Sequence, residues 1–439
     1  MTDAESFEFD GNPRLGLTGA TVGFFFGFAA VALFGPTATR FGELMHLDPS
    51  LVGLLAAAPM LSGSLLRIPF SAWCESTGGR KPFLVLMVLS LSGMVGLTVL
   101  LFTMYPAGLT ASMYPVLLLL GILCGSGIAT FSVGISQVSY WYPQEKQGWA
   151  LGAYAGFGNI APGMFSFLIP VALASYGLPF SYLLWLLFLV VGTVIYFRAG
   201  INAWYFQLRD AGVEDEQARE MAASQGQEVF PESTPLKSLL TSATVWKTWP
   251  LVILYFTTFG GFLALTAWFP TYWKEFFGLG DKLAGLFTGL FSVYASLIRV
   301  PGGSLADRIG GEATAALALV ALFVGAILMT LFGSFLPAIV GAALIGTGMG
   351  VNNAAVFKKV PEEVPEAVSG ASGWVGGLGA FGGFVIPPVM GWFVGAMGTA
   401  GYARGFVTFV GLAVLSLALV ALLHRTPSRA GREEPAPAN

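Results

Sequence analysis

The sequence predicts an all-α integral membrane protein with twelve transmembrane helices in two six-helix halves. The first observation is the composition: the 439 residues are 55% hydrophobic and 10% charged, whereas soluble domains carry about 25% charged residues. The second is the recurrence of charge-free runs longer than the ~20 residues that cross a bilayer. The third is a polar segment that divides these runs into two sets. Together they exclude a disordered chain and a soluble enzyme.

Charge and cysteine content exclude further classes of protein. The chain has 21 basic and 24 acidic residues and a net charge of −3, which does not favour nucleic acid as a partner. Cys74 and Cys124 are too few for a disulfide framework, and the sequence has no C-x-x-C motif and no histidine cluster. We therefore predict no metal, no cofactor and, without a nucleophile–base set in the hydrophobic runs, no enzyme.

The twelve spans are justified in order by charge-free runs and turn residues. The longest runs cover 82–144, 148–197, 313–357 and 367–403, each long enough for two crossings or for one crossing and a turn. Tyr105-Pro106-Ala107-Gly108 and similar clusters divide them, as expected of short loops. The predicted spans lie near 15–39, 50–72, 82–103, 114–140, 148–174, 180–198, 247–271, 282–305, 313–333, 336–357, 368–391 and 402–424.

The polar segment 199–246 lies between the sixth and seventh predicted spans. Its acidic run from Asp210 to Glu220 is compatible with a helix, and we interpret the segment as a solvated linker. The predicted domains are an N-terminal half (1–198), this linker, and a C-terminal half with a short tail (247–439). Residues 1–14 hold four acidic residues and no basic n-region, so we expect no signal peptide there.

Basic residues predict the orientation, because cytoplasmic loops carry an excess of lysine and arginine. Most of the 21 basic residues fall in the linker, in the terminal segments and in loops on their side. The opposite side holds Arg40, Lys274, Lys282 and Arg404. We expect the linker and both termini to be cytoplasmic, in a protein of the cell (plasma or inner) membrane.

An internal repeat relates the two halves. Leu66-Arg67-Ile68-Pro69 recurs as Ile298-Arg299-Val300-Pro301 after 232 residues, and the same offset relates Glu75 to Asp307. Two six-helix halves in parallel repeat are the architecture of a class of secondary transporters, which bind substrate where the halves meet.

Each repeat ends in a loop that combines an acid with glycines. Residues 303–311 read Gly-Ser-Leu-Ala-Asp-Arg-Ile-Gly-Gly, whereas residues 73–81 are a degenerate counterpart. A helix-end acid, a tight glycine turn and basic residues predict a cytoplasmic latch between helices, which would include Glu75, Asp307 and Arg308. The alternative is a plain charged turn.

Arg67 and Arg299 lie inside predicted spans, where an arginine costs ~2.5–3.5 kcal/mol and is usually functional. No acidic residue lies in a predicted helix interior to neutralise them, so we infer that the cargo does. Guanidinium is a permanently charged planar fork that pairs well with planar oxyanions. Alternatively, each side chain extends from near the cytoplasmic helix end to the membrane interface.

Small residues form one face on each of two predicted spans. Gly152 and Gly156 follow Gly148 at intervals of four, and Gly373 and Gly377 follow Ser369 in the same way. Such faces let membrane helices approach closely. In a transporter that rocks they would also let helices slide, so we predict that these four glycines serve gating or helix packing. The choice between static packing and motion stays open.

These residues carry a resemblance: the chain resembles the nitrate/nitrite porter family of the major facilitator superfamily along nearly all twelve spans. The most specific motifs are the glycine-rich runs 152–159 (Gly-Ala-Tyr-Ala-Gly-Phe-Gly-Asn) and 373–379 (Gly-Trp-Val-Gly-Gly-Leu-Gly), which are similar to the family's nitrate signatures. The loop 303–311 is similar to the loop signature of the superfamily. The resemblance implies the fold predicted above.

The resemblance also implies the substrate site. Arg67 and Arg299 would grip the anion from opposite halves, and Tyr255 would donate a hydrogen bond to it. Phe131 and Phe259 would stack above and below the planar ion, although without the resemblance these aromatic residues would be interpreted as helix packing. The other implied site residues are Phe28, Asn159 and Asn352.

The implied function is transport of nitrate and nitrite by alternating access, in nitrate assimilation, by a monomer in the lipid bilayer. Exchange of nitrate for nitrite moves no net charge, whereas importing a lone anion costs ~2.3 kcal/mol per 100 mV, so exchange is our preferred mode. Proton-coupled nitrate symport is the alternative mode. A carrier of another small anion, such as a carboxylate, and a sensor without flux are the alternative classes.

Overall fold

The computed structural model describes residues 9–227, 235–364 and 367–426. Within these residues the regular secondary structure is entirely helical, and eleven segments are long and apolar enough to cross a membrane. The prediction of an all-α membrane fold is therefore confirmed.

The described chain before residue 200 contains nine α-helices and three short 3₁₀ segments. The α-helices are α1 (Pro13–Phe28), α2 (Ala38–Met45), α3 (Pro49–Leu65), α4 (Arg67–Thr77), α5 (Arg80–Met104), α6 (Tyr114–Cys124), α7 (Thr130–Trp141), α8 (Gln144–Gly158) and α9 (Ile160–Ala199). The 3₁₀ segments are Ala29–Ala32, Ala111–Met113 and Gly125–Ala129.

The described remainder contains three linker helices, ten further α-helices and one π-helix. The linker helices are α10 (Trp204–Asp210), α11 (Asp215–Ser224) and α12 (Pro235–Thr244). The others are α13 (Thr248–Tyr255), α14 (Gly261–Phe277), α15 (Asp281–Leu297), α16 (Arg299–Ile309), α17 (Gly311–Leu331), α18 (Phe335–Glu363), α19 (Val368–Ala380), α20 (Gly382–Met397), α21 (Ala400–Arg404) and α22 (Val407–Arg425). The π-helix, Phe256–Gly260, joins α13 to α14.

The first helix is shorter than the predicted span 15–39. It begins at Pro13, where Asn12 accepts the backbone N–H of Leu15 at its side-chain oxygen (3.0 Å), a standard helix cap. It ends at Phe28 and continues only as a 3₁₀ turn. The residues from Ala38 onward form the separate helix α2, so the end predicted for this span was wrong.

The sixth crossing depends on one glycine. The segment Ala150–Ala199 is 50 residues long and counts as a single candidate span. Within it Gly177 has φ 73° and ψ 178°, a non-helical conformation that separates two helices. Positive φ carries little steric cost at glycine. This break lies in the predicted turn Tyr176-Gly177-Leu178-Pro179, and the count of twelve crossings stays a prediction beside the eleven candidate spans.

Four long helices are each interrupted near the middle by a single residue. The interrupting residues are Leu66, Asn159, Ile298 and Phe381. Pro69, Pro162 and Pro301 each lie three residues after a break, and a proline cannot donate the hydrogen bond that a helix requires four residues back. The fourth break is followed instead by Gly382 and Gly383. Repeat-related sequence therefore produces repeat-related breaks at Leu66 and Ile298.

The helices have a linker side, next to residues 200–247, and an opposite far side. On the far side the segment 13–199 packs against the segment 248–425 through two helix pairs, α3 with α20 and α9 with α15. A Cβ added to Gly53 would lie 2.6 Å from the Pro387 carbonyl oxygen, and one added to Gly289 would lie 2.6 Å from that of Gly163. The far-side segments therefore meet backbone to backbone.

The linker is docked rather than merely solvated. Asn202 accepts the backbone N–H of Arg80 (2.9 Å), and Gln207 accepts that of Asp10 (2.9 Å). The side chains of Arg219 in α11 and Tyr205 in α10 donate hydrogen bonds to Asp215 and hold the pKa of this carboxyl below its usual range. The polar run predicted as helix-compatible, from Asp210 to Glu220, thus begins at the last residue of α10, passes through a turn and enters α11.

Candidate functional site

Arg67 occupies the start of α4, directly after a helix break. Pro69 has no N–H for the Leu65 carbonyl, so the helix that begins at Pro49 is interrupted at Leu66. The same sequence pattern gives the second half the same geometry. There α15 ends at Leu297 and α16 begins at Arg299. Both arginines therefore begin a new helical segment.

The Arg67 guanidinium is buried between the halves, with 1% of the residue exposed. Its Nε donates to the Gly63 carbonyl (3.0 Å) and its Nη1 to the Gly376 carbonyl on α19 (3.3 Å). The guanidinium carbon lies 4.9 Å from the ring centre of Phe131 and 5.0 Å from that of Phe259. Among the described residues its Nη2 has no hydrogen-bond partner. One donor of the fork is therefore available.

Arg299 approaches the same ring from the other half. It is partly buried, its Nη2 donates to the Tyr255 hydroxyl (3.0 Å), and its guanidinium carbon lies 5.6 Å from the Phe259 ring centre. Tyr255 and Phe259 stack at 4.8 Å with 13° between their planes. The structure thus brings Arg67, Arg299, Tyr255 and Phe131 together around the ring of Phe259.

The π-helix positions the aromatic part of this site. It contains Phe259 and directly follows Tyr255, at a kind of irregularity that is frequent at functional sites. A Cβ added to Gly260 would lie 2.6 Å from the Gly379 carbonyl oxygen, so glycine at 260 allows this segment to contact the helix pair α19 and α20. The sequence of this segment gave no signal for a π-helix.

The rings of Phe131 and Phe259 are in contact with each other. Their centres are 5.8 Å apart and their planes 30° apart. A planar ion between two parallel rings requires about 7 Å, twice an atomic contact of ~3.5 Å. The predicted stacking above and below the ion therefore requires these rings to separate. Phe28 is buried and packs on Phe24 (4.7 Å), which in turn contacts Phe131 (5.4 Å).

The two predicted asparagines lie at the edge of this cluster. Asn159 is buried at a helix break, its side-chain oxygen has no partner among the described residues, and its carbonyl accepts from Ser296 (3.4 Å). Asn352 donates to the Thr258 hydroxyl (3.0 Å) and to the Leu254 carbonyl (3.4 Å). Asn352 therefore holds the segment that carries Tyr255 and Phe259, and a direct bond from Asn352 to an anion stays a prediction.

Tyr154 and Phe24 belong to the cluster, although sequence reasoning did not single them out. The Tyr154 hydroxyl donates to the carbonyls of Thr130 (2.8 Å) and Phe131 (3.2 Å), at the start of α7. Its ring stacks on Phe24 at 4.9 Å. A Cβ on Gly158 would overlap the Phe24 ring, so the close packing of this ring requires a glycine at position 158. The available signal was the tyrosine within the glycine-rich run 152–159.

The four predicted gating glycines have different surroundings. No atom lies within 4 Å of a Cβ added to Gly152 or Gly156. A Cβ on Gly373 would lie 3.2 Å from Leu239 in the linker, and one on Gly377 would lie 2.7 Å from Ile68. The small face of α8 is therefore open on the linker side in this conformation, and its role in gating stays a prediction.

The predicted latch joins helices of one half. Asp307 is 75% exposed, and its carboxylate lies 2.8 Å from the Lys358 ammonium, so the ion pair connects α16 to α18. Arg308 is exposed and forms no ion pair with the described residues. The side chain of Glu75 lies outside the described part of the chain, so its place in the latch stays a prediction.

A buried ionic cluster on the linker side was not predicted. Glu363, 1% exposed at the end of α18, pairs with Lys247 and with Lys359 (2.6 Å). Lys359 also pairs with Glu312 (2.9 Å), which lies 2.8 Å from His424. These residues connect the linker-side ends of α13, α17, α18 and α22. The i,i+4 spacing of Lys359 and Glu363 was an available signal, whereas the contacts with Lys247 and Glu312 join residues far apart in the sequence.

The chemistry of the site is of the kind that suits a small anion. Within the described residues no carboxylate pairs with Arg67 or Arg299, and no group of three or more potential metal ligands occurs. Two guanidiniums beside aromatic rings and a tyrosine hydroxyl offer several charge-assisted hydrogen bonds to one oxyanion. The helix breaks before Arg67 and Arg299 and the π-helix place these groups next to the Phe259 ring, between the halves.

A family model, curated relatives and solved structures all relate this chain to membrane transporters. Residues 20–387 and 284–439 match the Major Facilitator Superfamily. The chain is 30% identical to "Probable nitrate/nitrite antiporter NarK1" of Thermus thermophilus, over 84% of this chain and 83% of that protein. It is 29% identical to "Nitrite extrusion protein" of Bacillus subtilis, over 87% of both chains. A solved structure of the xylose transporter XylE from E. coli, partially occluded and inward open, superposes with a TM-score of 0.73 at 14% identity, over 96% of this chain and 99% of that one.

Proposed function

The chain belongs to the nitrate/nitrite porter family of the major facilitator superfamily, and from this membership we propose that it exchanges nitrate and nitrite by alternating access. As a member of that superfamily with many apolar helices it is a multi-pass membrane transporter and not an enzyme. Its relatives named as a nitrate/nitrite antiporter and a nitrite extrusion protein support both ions as cargo.

One observation carries the proposal. Arg67 and Arg299 come from repeat-related positions in opposite halves, yet their guanidinium carbons lie 5.0 and 5.6 Å from the same Phe259 ring. Neither has a carboxylate partner within the described residues, so an anion between them would relieve the repulsion of two permanent charges. The unsatisfied Nη2 of Arg67 is the donor that such an anion would take first.

Anion binding would change the aromatic contacts of the site. Nitrate is planar, and its stacking position between Phe131 and Phe259 is filled by the contact of the two rings. Entry of the ion would move α7 away from the π-helix. The Tyr255 hydroxyl accepts a hydrogen bond from Arg299, so its own O–H would donate to the ion. Asn159, Asn352 and Phe28 would complete the pocket in this arrangement.

The described conformation would be one end state of the cycle. Its far side is packed through α3 with α20 and α9 with α15, while Gly152 and Gly156 are open on the linker side. Arg67, Tyr255 and Phe259 are buried in this conformation, so further opening on the linker side would be needed to connect the site to the cytoplasm, where the basic residues place the linker and both termini. The protein would work as a monomer in the plasma or inner membrane, with Gly373 and Gly377 in the helix face that already approaches Leu239 and Ile68 on the linker side.

Exchange is the preferred mode because it moves no net charge. Importing a lone anion against a negative interior costs ~2.3 kcal/mol per 100 mV, whereas nitrate-for-nitrite exchange avoids this cost. Proton-coupled symport would need a titratable group on the path of the ion. The most buried carboxylate of the described residues, Glu363, is instead paired with two lysines at a helix end.

Transport assays in liposomes distinguish exchange from proton symport, and nitrate from small carboxylates as the cargo. Nitrite-loaded vesicles should take up nitrate, without response to an imposed pH gradient, and empty vesicles should not. Uptake that requires inward protons and no internal nitrite would establish symport instead. An excess of acetate or formate should leave nitrate uptake unchanged, and strong competition would identify a general carrier of small carboxylates.

Replacing either site arginine with lysine tests the geometry. Arg67→Lys and Arg299→Lys keep the charge but lose the planar fork, and a hydrogen bond to a charged group is worth about 1.5–3 kcal/mol. Nitrate exchange should therefore fall by more than tenfold in each variant, while the purified protein keeps its melting temperature. Arg198→Lys, at an exposed position, is the matched control and should retain full exchange. Normal exchange by both site variants would show that the anion binds elsewhere.

A further inference from the structure

The linker helix α12 presents its apolar residues outward and its serines inward. Ser238 and Ser242, four residues apart, are buried on one face. Leu236 and Leu240, also four residues apart, are 66% and 60% exposed on another. A helix on a water-exposed surface has the opposite arrangement, with its apolar face toward the protein.

The buried serines attach α12 to the start of α19. The Ser238 hydroxyl accepts the backbone N–H of Gly370 (2.9 Å), and a Cβ on Gly370 would overlap the Ser238 carbonyl. The Trp374 indole N–H donates to the Leu239 carbonyl (2.9 Å). Polar contacts thus fix the orientation of α12 about its axis, and the leucines must face away from the protein.

The outward face of α12 continues into two exposed tryptophans next to a candidate membrane span. Trp246 and Trp249, after the end of α12, are 45% and 40% exposed, and Trp249 lies against Trp374 with ring centres 6.0 Å apart. Trp249 is already within the candidate span Thr248–Phe277. Tryptophan is enriched where a membrane helix leaves the hydrocarbon for the headgroups. The exposed face of α12 is therefore level with one membrane–water boundary.

We propose that α12 lies in the headgroup region of the linker-side leaflet, with Leu236 and Leu240 in contact with the acyl chains. An amphipathic helix of this kind embeds its apolar face ~5–10 Å into the headgroup–acyl boundary. The exposed Lys237 beside the leucines reaches the phosphates from the same face. The partner is the lipid surface itself, whichever anion the protein carries.

In this placement the bilayer would contact the site indirectly, through α12 and α19. The helix α19 bears Gly376, whose carbonyl accepts from Arg67 (3.3 Å). Because Ser238 and Trp374 attach α19 to α12, the leaflet restrains the linker-side segment of α19 but not its far-side continuation α20. The lipid surface thereby sets the position of one wall of the site.

Spin labels measure the depth of α12 directly. In protein with Cys74 and Cys124 replaced by alanine, a nitroxide on Leu240→Cys is compared with one on Gln217→Cys in the polar helix α11. In liposomes of phosphatidylcholine and phosphatidylglycerol, the Leu240 label should collide with oxygen at least threefold more often than with a water-soluble nickel chelate. The Gln217 label, on an exposed position, should show the reverse order.

Two results would overturn the proposal. A Leu240 label with the same preference for nickel as the Gln217 label would place α12 in water. A label shielded from both reagents, with dipolar broadening that disappears on dilution with unlabelled protein, would identify a second copy of the chain as the occupant. A label at Leu236→Cys provides the same test if the first variant is poorly folded. Neither result bears on nitrate exchange, since the measurement involves no anion.

Discussion

Replacing Gly53 with alanine should disfavour the conformation in which the far side is closed. The added Cβ would lie 2.6 Å from the carbonyl oxygen of Pro387, 3.1 Å from its carbonyl carbon and 3.3 Å from the Cα of Pro388. All three atoms belong to the backbone of α20, which cannot turn aside as a side chain can. The helices α3 and α20 would therefore have to separate.

The size of the effect follows from these distances. Ordinary van der Waals contact of a Cβ begins at 3.4 Å, and the shortest distance here is the 2.6 Å to the carbonyl oxygen, so the two helices must move apart by about 0.8 Å. Overpacking of this kind costs about 1–3 kcal/mol. The gain in helix propensity from alanine, up to ~1 kcal/mol, is the same in every conformation that keeps α3 helical and cancels. A cost of 1–3 kcal/mol changes the ratio of far-side-closed to far-side-open protein by about 5–150-fold.

A buried cysteine between α15 and α9 reports this ratio. Ser292 is buried, and its Cβ would lie 3.2 Å from a Cβ on Gly163, so Ser292→Cys is a nearly isosteric probe of the far-side contact. With Cys74 and Cys124 changed to alanine, its reaction with a maleimide requires opening, and the rate follows the open population. Gly53→Ala should raise this rate by about 5–150-fold.

Gly395→Ala is the matched control. It lies within α20, and no atom is within 4 Å of the added Cβ. The control should leave the labelling rate of Ser292→Cys unchanged. An unchanged rate in Gly53→Ala, in protein with a normal melting temperature, would refute the reasoning. An equal increase in both variants would indicate general loosening rather than a specific far-side contact.

Two further pairs of variants test the packing around the site and the buried ionic cluster. Gly158→Ala places a Cβ against the Phe24 ring and should lower stability by about 1–3 kcal/mol, seen as a lower thermal midpoint. Gly156→Ala, with no atom within 4 Å of its Cβ, should not, and equal midpoints would contradict the Phe24 explanation. Lys247→Ala removes one of the two lysine partners of a 1% exposed carboxylate and should cost about 1.5–3 kcal/mol in denaturant unfolding, because Lys359 still compensates the charge of Glu363. Lys358→Ala, opposite a 75% exposed carboxylate, should cost less than about 1 kcal/mol, so similar losses would argue against a role for burial.

The central arginines could be predicted because insertion into a membrane makes an unpaired charge expensive. Arg67 and Arg299 stand out in charge-free runs, and the repeated proline after each also predicts the helix break. Their convergence beside Phe259 is implied by the family resemblance but not by the pattern of the residues themselves. It depends on the π-helix, whose Phe-Thr-Thr-Phe-Gly sequence has no distinctive pattern, and on contacts between residues far apart in the chain.

The glycine faces show what glycine spacing can and cannot predict about helix packing. The spacing of Gly152 and Gly156 predicts a small helix face, but the structure leaves that face open. The close contacts fall on Gly163 and Gly289, which belong to the next segment of the helix and to a partner helix. Residue spacing identifies a surface suited to close approach. It does not identify the neighbour, since the neighbour depends on the conformation of the whole carrier.

The single-residue breaks in four interface helices bear on how the membrane stays sealed during transport. A straight helix transmits a tilt along its entire length, so movement at one end would separate the other end as well. In this protein Leu66, Asn159, Ile298 and Phe381 divide each interface helix into two shorter rods. If the protein works by alternating access, as proposed, the rods on one face of the bilayer would change direction while those on the other face remain in contact. Such a carrier would pass its cargo without forming a continuous aqueous pore, which would discharge the ion gradients of the cell.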